Sequence, residues 1–463
     1  MNLNIFSLDI KKFLNFLILF FPVSFIIGNA AINLDILLIS ITGIFFYKKE
    51  IFRIEKDFVL FLIIFFFIFI IISTFIEHYE NFNNLNLVKS ILYLRYLIFL
   101  LVLNCMVKKN DFNFRYFIFS CFFFSIIASL TVIHEGITGK SFFHDGSHIL
   151  NNPGIFGDEL ISGSYILKFG CLGLFFIPLT LKNEKKKLLF FFTIAIIFFS
   201  LSIILSGNRM PLLLFGLFLF LGIFLVKKIR FAFILGSISA ILIFLVVINT
   251  DKNIKNNWNS FYGNVYGFVF SESESSIIDE LKKDYSDIKI KTDPKERTPG
   301  LEKWKFDYAY WKRKNWKGFK PVSFGSGHRI IWTTAIETWL DSPIIGSGIK
   351  SFREKCKNKL NTPHRVCQSH THNYYLEILN DTGLVGLILI VLTTYILLVR
   401  KFQVMLLNKS LDNFIFYSIF FNLILEFFPF RSSGNFFSTY SSSFIFLLIG
   451  LFLNYKINTK INH

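Results

Sequence analysis

Several features are missing from this sequence, and each absence narrows what the chain can be. No internal repeat, direct or inverted, runs through it. That counts against a transporter built from paired halves with broken helices at the membrane midplane. Standard metal-ligand spacing is missing as well. His364, Cys367, His370 and His372 lie close together, but their intervals fit no ordinary zinc site, and no carboxylate or second cysteine pair completes one. Zinc is left only as the rival reading of these histidines. Cysteine is scarce, with five in 463 residues, and all six tryptophans (Trp258, Trp304, Trp311, Trp316, Trp332 and Trp339) fall between positions 250 and 369.

Apolar residues are abundant. They make up 53% of the chain, 63 of them Phe, and the mean hydropathy is +0.54. No soluble domain has an interior able to bury that much apolar surface, and long apolar runs recur throughout, so the chain reads as a polytopic membrane protein. Runs fall at 13–31, 32–47, 57–76, 88–106, 115–134, 162–181, 188–206, 210–226, 231–249, 384–399, 411–429 and 436–454. These predict an all-α fold of about twelve transmembrane helices, each near the ~20 residues that a span needs. The first run follows Lys11 and Lys12, with Gly28 and Ala30 where a cleavage site would lie. Its apolar region is too long for a signal peptide, so it is read as an uncleaved first span.

A net charge of +18 would suggest nucleic acid in a soluble protein, but here the excess sits in short loops, where it sets orientation. Nucleic-acid binding is not expected. Alternate connections carry Lys48, Lys49, Arg53 and Lys56, then Lys108, Lys109 and Arg115, then Lys182 and Lys185 to Lys187. The series continues with Lys227, Lys228 and Arg230, then Arg400, Lys401 and Lys409. The opposite set carries Glu77, Glu80, Glu135, Asp145, Asp158 and Glu159. By the positive-inside rule the basic set and both termini are cytoplasmic.

Three polar segments then fall on the outer face: "SGNRMP" (206–211), residues 250–369, and "FRSSGN" (430–435). The middle one, about 120 residues, is too long for a mere connector and predicts an extramembrane domain between the ninth and tenth helices. The chain divides into helices one to nine (1–249), the loop domain with a short interfacial helix (250–383), and helices ten to twelve (384–463). The tryptophans of the loop domain form either an aromatic belt at the headgroups or a set of flat rings that stack on sugars.

Candidate chemistry collects at this face. Arg209 precedes Pro211 at a helix start, and arginine beside a helix N-terminus suits phosphate; the alternative is snorkelling to headgroups. Arg329 lies near another helix start, with Trp332, Ile336 and Trp339 at helical spacing and Pro343 before a Gly-Ser-Gly turn. Arg95 sits roughly 10 Å inside the fourth span. It is either functional or a structural partner of Asp35 or Glu426. His372 and Asn373 introduce a short helix, 374–381, ended by Gly383, and a neutral imidazole there could take a proton from an alcohol. Cys356 and Cys367, eleven apart, suggest a disulfide bracing the approach to His372. Arg431 and His370 are secondary candidates, with Arg95 and Asn373.

Four segments resemble the O-antigen ligase and polymerase superfamily of bacterial inner-membrane proteins: "GIFGDELISGSYI" (154–166), "SGNRMPLLLF" (206–215), "GHRIIWTTAIETWLDSPIIGSGIKSFREKC" (327–356) and "HTHNYYLEILNDTGLVGL" (370–387). "FPFRSSGNFFSTY" (428–440) adds weaker support. Residues 1–140 match only in hydropathy, and 271–320 depart from the pattern. The resemblance implies metal-independent, cofactor-free glycan transfer from an undecaprenyl-diphosphate-linked donor to lipid A-core oligosaccharide at the periplasmic face of the inner membrane. It implies that Arg209 and Arg329 hold the diphosphate and that His372 activates the acceptor hydroxyl. A single displacement at the anomeric carbon would invert configuration. A polymerase joining carrier-linked repeats, transfer to a protein hydroxyl, and a non-enzymatic flippase are the alternatives.

Overall fold

The computed structural model describes residues 2–53, 57–78, 84–143, 151–157, 159–251, 254–255, 258–259, 327–359, 365–407 and 413–455. Among these residues the secondary structure is helical throughout, without strands. The long helices are α1 (Asn2–Ile27), α2 (Asn29–Tyr47), α3 (Phe58–His78), α4 (Asn84–Lys108), α5 (Phe114–Thr138) and α6 (Ser162–Thr180). They continue with α7 (Lys185–Leu205), α8 (Arg209–Leu225), α9 (Arg230–Thr250), α10 (Gly327–Trp339), α11 (Tyr374–Leu407), α12 (Phe414–Glu426) and α13 (Thr439–Leu453). Nine helices among the described residues are long and apolar enough to cross a membrane, and α8, α12 and α13 are shorter apolar helices. This is a multi-pass membrane protein. Residues 260–326, the bulk of the expected loop domain and including Trp304, Trp311 and Trp316, lie outside the described residues.

Packing follows from where the apolar side chains are redundant. Residues 441–453 of α13 are buried on every side, as expected of a helix that is apolar all round and central to a bundle. α13 packs against α4, and α4 against α2 and α3, while α9 lies on α7 and α8 at the periphery. α9 leaves Ile238, Ile241, Leu242, Leu245 and Val246 exposed, a lipid-facing surface. Small residues set the close approaches. A Cβ on Gly173 would lie 2.4 Å from the backbone of Phe122 in α5, and one on Gly43 would meet Val102 of α4 at 2.4 Å.

Two departures from the sequence expectation bear on the site. The run at 162–181 is interrupted by a π-helical turn, Ile166–Gly170, with Lys168 buried in its middle; such turns concentrate at functional positions. The run at 384–399 extends to Leu407 and is joined to the short helix before it across a break at Gly383 (φ 61°, ψ −166°).

Candidate functional site

The short helix at the start of α11 begins at a turn that its own sequence builds. Asn373 caps it, its Oδ1 accepting from the N–H groups of Tyr375 (2.9 Å) and Leu376 (3.1 Å). Its Nδ2 donates to the carbonyls of Pro429 and Arg431, both at 3.1 Å. All four hydrogen-bonding capacities of that amide are therefore used structurally, which makes Asn373 a clamp rather than a reactive group. Glu377 and Asp381 follow at four-residue spacing on the same helix face. Glu377 accepts from the Phe436 N–H at 2.6 Å. Asp381 accepts from the N–H groups of Lys350 (2.6 Å) and Ser351 (3.2 Å) and from the Ser351 hydroxyl (3.0 Å). One face of a helix about two turns long thus fastens the 429–436 loop at one end and the 346–351 turn at the other.

The far end of this helix is closed by glycine against glycine. Gly383 adopts a backbone conformation that is essentially glycine-only, and a Cβ there would lie 2.2 Å from the Ile344 carbonyl oxygen. A Cβ on Gly346, in the Gly-Ser-Gly turn, would lie 2.3 Å from the Gly383 nitrogen. The turn is pinned further by Ser73 of α3, whose hydroxyl donates to the carbonyls of Ile345 (2.8 Å) and Asp381 (3.0 Å).

His372 sits immediately before the cap with φ 56°, in the left-handed region that a non-glycine residue adopts at a cost of ~1–3 kcal/mol. Its half-buried ring lies 4.1 Å, centroid to centroid, from that of His370. The His370 Nδ1 lies 2.9 Å from the Ser369 hydroxyl. Burial pushes the His372 imidazole below its ordinary 6.5, so it is neutral at pH 7 and able to accept a proton. Lys350, across the short helix, is a second non-glycine residue at positive φ (59°), and burial lowers its ammonium too.

The approach to His372 is braced. Cys356 and Cys367 form a disulfide with Cα atoms 5.3 Å apart, and Cys356 packs with Ile331, Ala335 and Phe352. A bidentate ion pair joins the buried Arg365 to Glu337 of α10. The Val366 N–H reaches the Thr334 hydroxyl of the same helix at 3.3 Å. Arg329 belongs to α10, while its side chain lies outside the described residues, as does His364. The zinc reading of this segment loses a ligand, because Cys367 is bonded to Cys356. Thiol reagents applied to the intact protein are expected to label neither Cys356 nor Cys367 until reductant is added, since Cys105, Cys121 and Cys171 are the free cysteines and all are buried. Closing this loop contributes about 2–3 kcal/mol in the chain-entropy picture. Equal labelling with and without reductant, read by mass spectrometry, would reject the bridge.

Arg209 is placed by a different pair of motifs. It opens α8, half-buried, with Pro211 in the first turn. Asn208 makes no side-chain capping bond there, because its Oδ1 instead accepts from the Gly163 N–H at 3.1 Å. A Cβ on Gly163 would lie 2.6 Å from the Ser206 hydroxyl, so "SGSYI" lies directly on "SGNRMP". Asn152 extends this contact, donating to the Leu205 carbonyl at 2.6 Å.

A buried ionic cluster, which sequence reasoning missed, links the two halves. Lys168, one turn beyond Gly163, is paired with Glu426. Glu426 also receives Arg431 at 2.9 Å and the Tyr374 hydroxyl at 3.2 Å. The Arg431 guanidinium lies over the Tyr374 ring, 4.9 Å from its centroid. Arg431 is 4% exposed, so it serves this cluster rather than facing a ligand. The chain of contacts runs from the foot of α8 through Gly163 and Lys168 to Glu426 and Tyr374, two residues after His372. Arg95 takes no part in it. Of its two readings, the structural partnership with Asp35 or Glu426 is not formed. Arg95 instead donates to the Leu92 carbonyl (3.0 Å) and the Tyr96 hydroxyl (2.7 Å), Glu426 is occupied by Lys168 and Arg431, and among the described residues no hydrogen bond reaches the buried Asp35 carboxylate. The signal for the cluster was a lysine inside an apolar run, which by itself marks an intramembrane site.

With this geometry in view, residues 194–391 match the family model described as O-antigen ligase. Over those residues the chain is similar to the O-antigen ligase family. The matched segment begins within α7 and ends within α11, and it contains Arg209, Arg329, His372 and Asn373. The segments at 154–166 and 428–440 lie outside it, yet they pack against it through Gly163 and through the loop that Asn373 holds. No curated protein matches the chain.

Proposed function

We propose that this protein is a glycosyltransferase that moves a glycan from an undecaprenyl-diphosphate carrier to a hydroxyl of lipid A-core oligosaccharide, at the periplasmic face of the inner membrane. The observation that carries the reading is His372. It is a half-buried, neutral imidazole in a left-handed turn, at the start of a helix fastened at both ends, inside the segment that matches the O-antigen ligase family. A base held this way needs no reorganisation to meet an acceptor hydroxyl. Arg209 and Arg329 would neutralise the departing diphosphate, with the positive end of the α8 dipole beside Arg209. A neutralised diphosphate is a good leaving group, and a single displacement inverts the anomeric carbon.

The lipopolysaccharide profile of a deletion strain tests the function. Loss of all capped chains, with carrier-linked polymer accumulating, supports ligation to the core. A core bearing one repeat unit would identify a polymerase instead. The orientation is tested separately by cysteine labelling of intact cells. Positions 182–187 and 227–230 are expected to be protected as cytoplasmic, while 250–369 are labelled from outside. Outside labelling at 182–187 would overturn the orientation and every periplasmic assignment with it.

A further inference from the structure

Helix α10 has one face packed on protein, one polar edge, and an apolar stripe between them. Ile331, Thr334, Ala335 and Thr338 are buried, at the i, i+3, i+4, i+7 spacing of a single helix face. Ile331 and Ala335 pack with Phe352 and Cys356, and Leu376 of the short helix lies against them. The polar edge carries Glu337, paired with Arg365, and Asp341, paired with Lys359 at 2.8 Å. The stripe consists of Trp332, Ile336, Trp339 and Leu340, at i, i+4, i+7 and i+8. Its indoles are partly exposed, and Ile336 and Leu340 are 38% and 59% exposed. A contiguous apolar surface of this kind marks a place where something docks.

What covers the stripe is indicated by where it ends. The Leu340 N–H still donates to the Ile336 carbonyl at 3.1 Å, and the chain then turns at Pro343 onto the break in α11. There the Pro343 carbonyl accepts from the Leu384 N–H at 2.9 Å, and the Ile344 carbonyl from the Val385 N–H at 3.3 Å. The Trp339 indole joins the same junction, its Nε1 donating to the Pro343 carbonyl at 2.9 Å. Ile344 is 64% exposed, and Leu384, Ile388, Val391 and Tyr395 of α11 are exposed as well. Those four follow i, i+4, i+7, i+11 spacing on a helix long and apolar enough to cross a membrane. In a bilayer that side of α11 faces acyl chains. The stripe of α10 therefore abuts an established lipid-facing surface, while Asp341 is drawn aside to Lys359.

We propose that Trp332, Ile336, Trp339, Leu340 and Ile344 form a membrane-docking surface, seated at the headgroup–acyl boundary of the phospholipid leaflet that α11 enters. Amphipathic helices lie at that boundary with one apolar face immersed, and tryptophan is favoured there. The docking itself is independent of the transfer reaction. It bears on the site only through the proposed function, which gives Arg329 its role: the helix that carries Arg329 is held against the bilayer that holds the donor.

The test uses the full chain in nanodiscs of phosphatidylcholine and phosphatidylglycerol, with one nitroxide label at a time on Ile336→Cys, Leu340→Cys or Asp341→Cys. Val391→Cys, on the lipid-facing side of α11, is the reference. The native cysteines do not compete, since three are buried and two are bonded to each other. Ile336 and Leu340 are exposed, so neither substitution takes a side chain out of the packed face. Power saturation compares collisions with oxygen, which concentrates among acyl chains, and with a nickel chelate, which stays in water. Labels at 336 and 340 are expected to favour oxygen, as at 391, and the label at 341 to favour nickel. The logarithm of the ratio should thus change sign between the neighbours 340 and 341. A nickel preference at 336 and 340 as strong as that at 341 places the stripe in water and overturns the docking. Exclusion of both reagents at 336 and 340 means that protein, from this chain or a second copy, covers the stripe, and overturns it too. None of these readings uses transfer, so the docking and the proposed function fail separately.

Discussion

His372→Ala is expected to lower transfer from purified carrier-linked glycan by about 10²–10⁴-fold, the usual consequence of removing a general base, while leaving donor binding near wild type. The split follows from the geometry. The imidazole lies at the cap of the short helix, whereas the proposed diphosphate contacts begin at α8 and α10. Arg209→Ala should show the opposite pattern, weakening donor use severely. Arg209→Lys should remain impaired, because an ammonium does not reproduce two parallel hydrogen bonds to a phosphate. The pH profile gives the sign of the effect. A base must be unprotonated to act, and burial lowers the His372 imidazole from 6.5. Activity should therefore hold through neutral pH and fall on an acid limb below 6.5. Chelators should leave it unchanged. Near-normal turnover by His372→Ala, or an acid limb above 6.5, would remove His372 from the mechanism. Wild-type enzyme that stops under EDTA and recovers with added metal would remove the arginine-only account of the leaving group.

The parts of this site that could be read from sequence are those built locally. Asn373 before an amphipathic stretch and Gly383 after it mark a short helix by cap and stop, and the structure breaks α11 at Gly383. Pro343 and the Gly-Ser-Gly run mark a turn in the same way. Helix spans were legible where they are long and uniformly apolar, and less so in α12, where the run at 411–429 shortens to Phe414–Glu426. What could not be read was pairing across the chain. Lys168 and Glu426 are 258 positions apart, and nothing in either neighbourhood names the other. Arg95 was assigned partners by depth alone, yet depth does not specify which way around a helix a side chain points. Arg431 illustrates the same limit. It looked like a ligand-facing cation in a polar loop, and it is buried because Glu426 and the Tyr374 ring lie beneath it.

That cluster contains two cations and one carboxylate, which makes its response to mutation asymmetric. Lys168, Glu426 and Arg431 have side chains 1%, 2% and 5% exposed. Glu426→Ala would leave two buried positive charges facing one another without a counter-ion. Removing one partner of a buried pair typically costs ~3–5 kcal/mol, and here the remaining cations also repel. The Tyr374 hydroxyl would lose one of its two bonds and keep only Ser441 at 2.9 Å. Glu426→Ala is therefore expected to give poorly folded protein, with the helix after His372 loosened and transfer lost alongside stability. Lys168→Met should behave differently. It removes the excess charge, fills the same volume with an apolar chain beside Phe444 and Tyr440, and leaves Arg431 and Glu426 as a balanced pair. Replacing buried charge by a well-packed apolar group is often neutral or stabilising, so thermal unfolding in detergent should place Lys168→Met within about 1 kcal/mol of wild type. Equal destabilisation by the two substitutions would show that Lys168 is required for the cluster itself. Charge balance would then not be what holds Tyr374, and through it His372, in place.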